Sequence, residues 1–211
     1  FLRTMDEAWS LFRFGAAEDF ERRRPFANQK FPTAELERFA ATFVPRWFST
    51  TPLQARCLRS LLERLGSAIV ICHSQGTQVV FDVVESSPDL FDGIVALEPS
   101  GDPPELLADR LPPTVLAAGG HLDTSEFWRE RLRSWRALEQ GALGSRLCLI
   151  ETDSALEPGH SHMLMMDRGN DRVLDTALRA LSRLRQAAGR TDETGEPGAR
   201  PEASAVRKAT S

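Results

Sequence analysis

The stretch Ile69-Val70-Ile71-Cys72-His73-Ser74-Gln75-Gly76 decides the fold of this chain. It begins as a short, continuously apolar run, which is typical of a strand buried on both faces of a parallel sheet. A sharp turn follows at Ser74, and a helical pattern begins directly after it. Such a strand–turn–helix junction needs small residues two positions before and after the serine, here Cys72 and Gly76, because the backbone passes closely there. Glycine is the usual residue at the first of these positions, so Cys72 is a departure, although it is still small.

Three more apolar runs follow downstream, and they alternate with segments of helical periodicity. The predicted strands are 67–72, 93–97, 114–118 and 146–150, and the predicted helices after the first strand are 75–85, 126–140 and 171–187. Strands without polar alternation that are separated by helices indicate an α/β fold with a parallel sheet covered on both faces. Right-handed crossovers then place the carboxyl ends of all strands at one edge, where ligand sites of such sheets form.

The sequence before the first predicted strand and after the last predicted helix is not expected to contribute strands. Helices are expected over 5–14, 34–47 and 52–65, the last with Thr51 as its N-cap, and four leucines should form the buried face of the third: Leu58, Leu61, Leu62 and Leu65. Residues 189–211 are rich in Gly, Pro, Ser, Thr and charge, which is typical of a disordered tail.

Composition excludes several functional classes. The chain has 211 residues, 41% of them hydrophobic, and a formal net charge of −4, which suits one globular domain over 1–188. No basic stripe indicates nucleic acid as a partner, no apolar run is long enough to span a membrane, and no phosphate loop or dinucleotide glycine pattern indicates a cofactor. The cysteines lie in apolar runs and are expected to be small core residues. Oligomeric state and cellular compartment stay open.

Ser74 is a candidate nucleophile, and the alternative is an ordinary serine N-cap. A serine hydroxyl is a poor nucleophile until a base takes its proton. His73 is adjacent, but such a turn directs neighbouring side chains apart. The chain order serine, acid, histidine, with the histidine in the last loop, leaves His160 or His162 as the base. These two histidines in a loop are also a weak pattern for a metal site, and no metal is expected.

Three segments resemble a small group of bacterial α/β-hydrolase esterases: Cys72-His73-Ser74-Gln75, Leu97-Glu98-Pro99 and Gly159-His160-Ser161-His162-Met163-Leu164-Met165-Met166-Asp167-Arg168. The catalytic histidine of that group lies in a Ser-His-Met-Met-Met pattern, which matches Ser161-His162-Met163 and favours His162 over His160. The resemblance extends to Trp9 and to 11–15, and covers nearly everything except the tail. It implies a serine hydrolase that cleaves carboxylic esters, bulky or cyclic ones included, with a small-molecule ester as partner.

The acid is expected at Glu98. Most α/β-hydrolases carry an Asp directly after the strand predicted here at 114–118, but this chain has Gly119-Gly120 there, and no carboxylate before Asp123. The resembling esterases instead use a Glu after the preceding strand, a position that Glu98 occupies. A Glu is longer than an Asp, so it can reach the same imidazole from the neighbouring strand. Asp123 is the alternative.

The roles implied are those of a Ser-His-acid triad. Ser74 attacks the acyl carbonyl, His162 takes and returns the proton, and Glu98 orients the imidazole and stabilises its cation. The backbone N–H of Gln75 is expected to supply one oxyanion donor, while the second donor comes from an earlier loop in this fold.

The resemblance also implies an eight-stranded sheet in which the nucleophile follows the fifth strand. Only four strands are predicted here, and none precedes the nucleophile, so we expect the C-terminal half of the sheet and a fragment of a longer enzyme. A decayed, non-catalytic hydrolase and completion of the sheet by another chain are the alternatives. Residues 1–50 are expected to form a cap whose aromatic side chains line an apolar pocket, with core packing as the alternative for each: Trp9, Phe12, Phe14, Phe39, Phe43, Trp47 and Phe48.

Overall fold

A four-stranded parallel sheet lies at the centre of the computed structural model, which describes residues 4–45 and 47–192. The strands are Ala68–His73 (β1), Phe91–Leu97 (β2), Thr114–Ala118 (β3) and Leu147–Glu151 (β4), and they are paired in the order β1-β2-β3-β4. All four predicted strands are present, and the α/β fold class is confirmed. Helices cover both faces of β2 and β3, which leaves little room there for polar side chains. The prediction that β1 is buried on both faces is wrong in part, because Ile69 and Ile71 on one face are 41% and 50% exposed.

The register aligns the carboxyl ends of the strands. His73 pairs with Leu97, Leu97 with Ala117, and Ala117 with Ile150. The residues that directly follow β1, β2 and β3 therefore meet at one edge of the sheet.

Seven α-helices flank or precede the sheet within the described residues: Met5–Leu11 (α1), Leu36–Ala40 (α2), Thr51–Leu65 (α3), Gly76–Ser86 (α4), Glu126–Gln140 (α5), Thr152–Ala155 (α6) and Asn170–Asp192 (α7). The helix predicted over 34–47 is wrong in length. It consists of a 3-10 turn at Thr33–Glu35 and then α2, and the chain leaves α2 through a turn in which the Phe43 N–H donates to the Ala40 carbonyl. The prediction of a disordered tail falls mostly outside the described residues, although α7 continues to Asp192.

The core has one layer on each face of the sheet. Helices α3, α4 and α5 cover the first layer, where Val84, Leu116 and Trp135 are fully buried. Helix α7 covers the second, in which Val173 and Leu181 pack on β2 and β3. No helix of the described residues is long and apolar enough to cross a bilayer.

The predicted buried face of α3 is wrong in part. Leu62 is 3% exposed and Leu58 packs partly against the core, but Leu61 and Leu65 are 52% and 68% exposed. The reason is that α3 packs against α4 beside β1, the outer strand of the described sheet, so one stripe of the helix suffices for contact.

The cysteine prediction also needs correction. Cys57 lies on the solvent side of α3 and is exposed, whereas Cys72 and Cys148 are half-buried. A helix in contact with its neighbour along one stripe leaves the opposite side to solvent whatever residues it carries.

A third apolar cluster joins the N-terminal segment, defined here as residues 4–45, to the edge of the sheet. Trp9, Phe14, Phe31 and Leu36 are at most 2% exposed, and Met163 packs against them from the loop before α7. Trp47, by contrast, is 65% exposed.

Candidate active site

Ser74 lies on the turn that directly follows β1. Its backbone φ is 47°, in the left-handed region that a non-glycine residue rarely adopts. The surroundings hold this conformation: the Ser74 N–H donates to the Leu97 carbonyl at 3.0 Å, and its carbonyl accepts from the Thr77 and Ser100 hydroxyls at 2.6 Å and 3.0 Å. A strained backbone fixed in this way is typical of functional turns, because the turn projects the side chain from the sheet edge.

His162 lies beside this serine, at the carboxyl edge of the sheet. Its Nε2 is 3.0 Å from Ser74 Oγ, and the side chain is almost fully buried. Both backbone groups are held as well: the His162 N–H donates to the Phe12 carbonyl at 3.0 Å, and its carbonyl accepts from His73 Nε2 at 2.8 Å. The imidazole is therefore fixed from the N-terminal segment and from β1.

His73 takes a supporting place, as its position next to the serine suggests. Its ring lies 4.9 Å from the His162 ring, and donation from Nε2 to a carbonyl requires that nitrogen to carry the hydrogen. Burial and the neighbouring His162 lower the pKa of His73 to about 4, so the ring is neutral at physiological pH.

The loop that carries His162 is held by one carboxylate. Asp167, 2% exposed, accepts from the Ser161 N–H at 2.6 Å and from the Ser161 hydroxyl at 2.7 Å. The same hydroxyl accepts from the Met163 N–H at 2.9 Å, which ties the residue on either side of His162 to one anchor. His160 faces the Asp167 carboxylate, with Nδ1 and Oδ2 3.4 Å apart, so the two candidate histidines occupy different environments.

Glu98 directly follows β2, as Ser74 follows β1, and it too has a left-handed backbone, with φ 48°. Its Oε2 lies 2.9 Å from His162 Nδ1, and its Oε1 accepts from Arg13 Nη2 at 2.7 Å and from the Gly119 N–H. Burial alone would raise the pKa of Glu98, but the Arg13 charge and the His162 and Gly119 hydrogen bonds together lower it to about 2. The carboxylate is therefore ionised although it is fully buried.

Asp123, the alternative acid, lies elsewhere. It is an exposed residue of the 3-10 turn at Leu122–Thr124, and its backbone carbonyl accepts from the Arg129 guanidinium. The structure thus brings Ser74, His162 and Glu98 into one line and leaves Asp123 outside it.

Gln75 is the first residue after Ser74 with helical backbone angles, φ −57° and ψ −32°, and it precedes α4. The first N–H groups of a helix have no intrahelical acceptor, so the Gln75 amide is available to a ligand at the serine. This position suits the oxyanion donor expected from the sequence.

Two residues of the N-terminal segment contact this line. Sequence reasoning expected Phe12 only in the wall of an apolar pocket and gave Arg13 no role. The Phe12 ring stacks on the His162 ring, with centroids 5.2 Å apart and planes 12° apart. Arg13 is fully buried and pairs with Glu98. The signal for Arg13 was in the sequence: an arginine inside the run Leu11-Phe12-Arg13-Phe14 is flanked by apolar residues, and a buried charge needs a partner.

The overall structure is similar to the atomic-resolution structure of a novel bacterial esterase, with a TM-score of 0.78 and 26% sequence identity, over 88% of this chain and 59% of the esterase. The chain belongs to the α/β-hydrolase superfamily. A probable secreted lipase, phiG, of a fungal species is 46% identical to this α/β-hydrolase over 44 residues, which are 21% of this chain and 12% of the lipase. No family model matches. The chain spans 59% of the solved esterase, which is less than two thirds of its length. The resemblance to bacterial α/β-hydrolase esterases is confirmed.

Proposed function

We propose that this α/β-hydrolase cleaves carboxylic esters through an acyl-enzyme on Ser74. The observation that carries the proposal is the continuous line from Ser74 Oγ to His162 Nε2, 3.0 Å, and from His162 Nδ1 to Glu98 Oε2, 2.9 Å. A nucleophile within hydrogen-bond reach of a base, which a third group orients, is the general signature of an activated serine. The similarity to a bacterial esterase and to a probable lipase supports an ester as the substrate.

The chemistry follows from this geometry. Ser74 Oγ forms a bond to the acyl carbon while its proton passes to His162 Nε2, and the imidazolium then gives that proton to the departing alcohol oxygen as the C–O bond breaks. Water next attacks the acyl-serine, with His162 again as base, and the carboxylic acid leaves. Glu98 holds Nδ1 protonated and stabilises the imidazolium in both halves of the reaction. The Gln75 N–H is the proposed donor to the oxyanion, a role typically worth about 3–4 kcal/mol of barrier.

The substrate side of the proposal rests on the aromatic rings next to His162. Phe12 contacts Phe43 at 6.1 Å between centroids, and Phe39 contacts Phe43 at 5.0 Å. These rings are half-buried rather than fully packed, which suits a wall for an apolar acyl or alcohol group. We include in the proposal that residues 1–50 act as a cap over the serine.

A fluorophosphonate probe tests the proposal, because it labels a serine only when the base activates it. We expect the full chain to be labelled and the Ser74→Ala and His162→Gln variants to remain unlabelled. Ser86→Ala is the matched control, since Ser86 lies on α4 and donates its hydroxyl to the Val83 carbonyl. Labelling that persists in Ser74→Ala would contradict the assignment of the nucleophile.

The rival function is a hydrolase-like protein without catalysis. Failure of the chain to be labelled, combined with no hydrolysis of p-nitrophenyl acetate or butyrate, would favour that rival. Hydrolysis with a burst of p-nitrophenol equal to the enzyme concentration would support the acyl-enzyme.

A further inference from the structure

Arg13 is the buried cation at the proposed triad. Its side chain is 0% exposed, its backbone φ is 59°, and its guanidinium lies 4.2 Å from the centroid of the Trp128 ring. Nη2 donates to Glu98 Oε1 and Nε donates to the Gly120 carbonyl, both at 2.7 Å. A single planar group therefore joins the residue after β2 to the chain after β3.

A buried carboxylate and a buried guanidinium are each costly when alone, so neither is stable here without the other. Glu98 has few other means of support: its remaining partners are the Gly119 N–H and His162. The planar guanidinium also sets the orientation of the Glu98 carboxylate. Because Nε is fixed on the Gly120 carbonyl, Nη2 can donate to only one of the two carboxylate oxygens. The other oxygen is left for the imidazole.

We propose that Arg13 is a positioning residue of the triad, which aims the Glu98 carboxylate at His162 and opposes protonation of the Glu98–His162 pair. This inference rests on the proposed function for its catalytic consequence, but its electrostatic part stands on the buried pair itself. The N-terminal segment thereby contributes to the reaction through Arg13 as well as through its apolar surface.

The charge of Arg13 should act in one direction on the protonation of the Glu98–His162 pair. The charged and titratable groups around Arg13 and the pair are His73 on β1, His121 after β3, Asp153 on α6 and, in the loop before α7, His160 and Asp167. Arg13 is the only one of these groups, among the described residues, that is a permanent cation in direct contact with Glu98. Its removal stabilises a proton on the pair, whether on the carboxylate or on the imidazole, because the pair titrates as a unit.

Titration of His162 by nuclear magnetic resonance tests this without any substrate. The chain is labelled at histidine, and His162 is assigned by its absence in His162→Gln. In Arg13→Gln, which keeps N–H donors but not the charge, we expect the His162 titration to move up by about 1 pH unit. Arg136→Gln is the matched control, because Arg136 makes a two-pronged pair with Glu151 at the surface, and it should cause no movement. Equal titration in Arg13→Gln and the parent would overturn the proposal.

Steady-state kinetics then separates the effect of the Arg13 charge from the effect of Arg13 on the orientation of Glu98. Arg13→Lys keeps the charge but loses the fork, so we expect the acid limb of kcat/KM to stay in place while kcat falls about 10- to 100-fold. Arg13→Gln should lose a similar factor in kcat, and its acid limb should also move up. Unchanged kcat in Arg13→Lys would contradict the positioning role, and this variant keeps the test available if the neutral one does not fold. If the parent hydrolyses no ester, the proposed function fails, while the His162 titration still decides the electrostatic claim.

Discussion

The Glu98 carboxylate lies so close to the Gly119 backbone that residue 119 has no room for a side chain. Its N–H donates to Glu98 Oε1, and a Cβ atom built on it would lie 2.9 Å from that oxygen and 2.5 Å from the Ser161 carbonyl oxygen. Arg13 Nη2 would be 3.0 Å away. A side chain at residue 119 is therefore excluded by the Ser161 carbonyl together with the Glu98 carboxylate from the neighbouring strand.

Gly119→Ala should disturb the site and the fold together. We expect a loss of about 1–3 kcal/mol in the free energy of unfolding, as for other overpacked positions. Turnover should also fall, since the Glu98 carboxylate must shift. Urea unfolding and ester hydrolysis measure the two effects. Gly189→Ala is the control of opposite sign: nothing lies within 4 Å of its added Cβ, and alanine in α7 should stabilise by up to about 1 kcal/mol. Equal behaviour of the two variants would contradict the steric argument.

The two candidate acids can be separated by amide substitution. Glu98→Gln should lower kcat by about 10²- to 10⁴-fold, because the amide cannot stabilise the His162 imidazolium and can favour the wrong tautomer. Asp123→Asn should leave kcat unchanged, since the Asp123 side chain is exposed and lies outside the line from Ser74 through His162 to Glu98. Steady-state hydrolysis of a p-nitrophenyl ester measures both. A large loss in Asp123→Asn with none in Glu98→Gln would reverse the assignment.

The Phe12 ring is predicted to hold the His162 imidazole in plane. Phe12→Leu keeps an apolar side chain but removes the stacked face, so we expect kcat to fall about 10-fold with a smaller change in thermal stability. Phe26→Leu is a matched control, because Phe26 stacks on the ring of His121, with centroids 4.0 Å apart, and not on the ring of His162. The prediction fails if both variants keep the parent's kcat.

The free energy of unfolding should decrease in two separate pH ranges as the pH is lowered. The pKa of His73 is lowered from 6.5 to about 4 by burial, so between these values the unfolded chain binds a proton that the folded chain does not, and stability falls as the pH drops from 6.5 to 4. The pKa of Glu98 is lowered from 4.5 to about 2, so its contribution is complete above 4.5 and is lost as the pH falls towards 2.

The first window can be isolated with His73→Gln, whose amide can still donate to the His162 carbonyl. We expect the parent to lose more unfolding free energy than the variant between pH 6.5 and 4, by an amount on the order of 1–3 kcal/mol. Denaturant unfolding at several pH values measures this. Parallel curves for the two proteins would show that His73 titrates normally in the fold.

Much of this molecule follows from local patterns in the sequence. The strands were predictable because they are short apolar runs between turn residues, and the positions of Ser74 and Glu98 follow because the carboxyl ends of parallel strands meet at one edge. The extent of the buried face of α3 was not predictable. Leu61 and Leu65 have the spacing of buried residues, but their burial depends on which elements pack against that side of the helix. The partners of Phe12 and Arg13 at the site were not predictable either, although the need of Arg13 for a partner was. Arg13 and Glu98 are 85 positions apart, Phe12 and His162 are further apart still, and no local periodicity encodes such pairs.

The bridge from Arg13 to Glu98 makes the proposed nucleophile, Ser74, dependent on residues 4–45, which contribute no strand to the described sheet. Local opening of residues 4–45 would remove the partner of a buried carboxylate and the ring over the base, while the hydrogen bonds of β1 to β4 stayed intact. Loss of the site geometry and unfolding of the whole domain would then be separate events. Amide hydrogen exchange in α1 would report the loss of the site, and slower exchange in β2 would report the unfolding of the domain. A single proteolytic cut near Arg22-Arg23-Arg24, which lies in this segment, would by the same logic remove the proposed activity without unfolding the sheet.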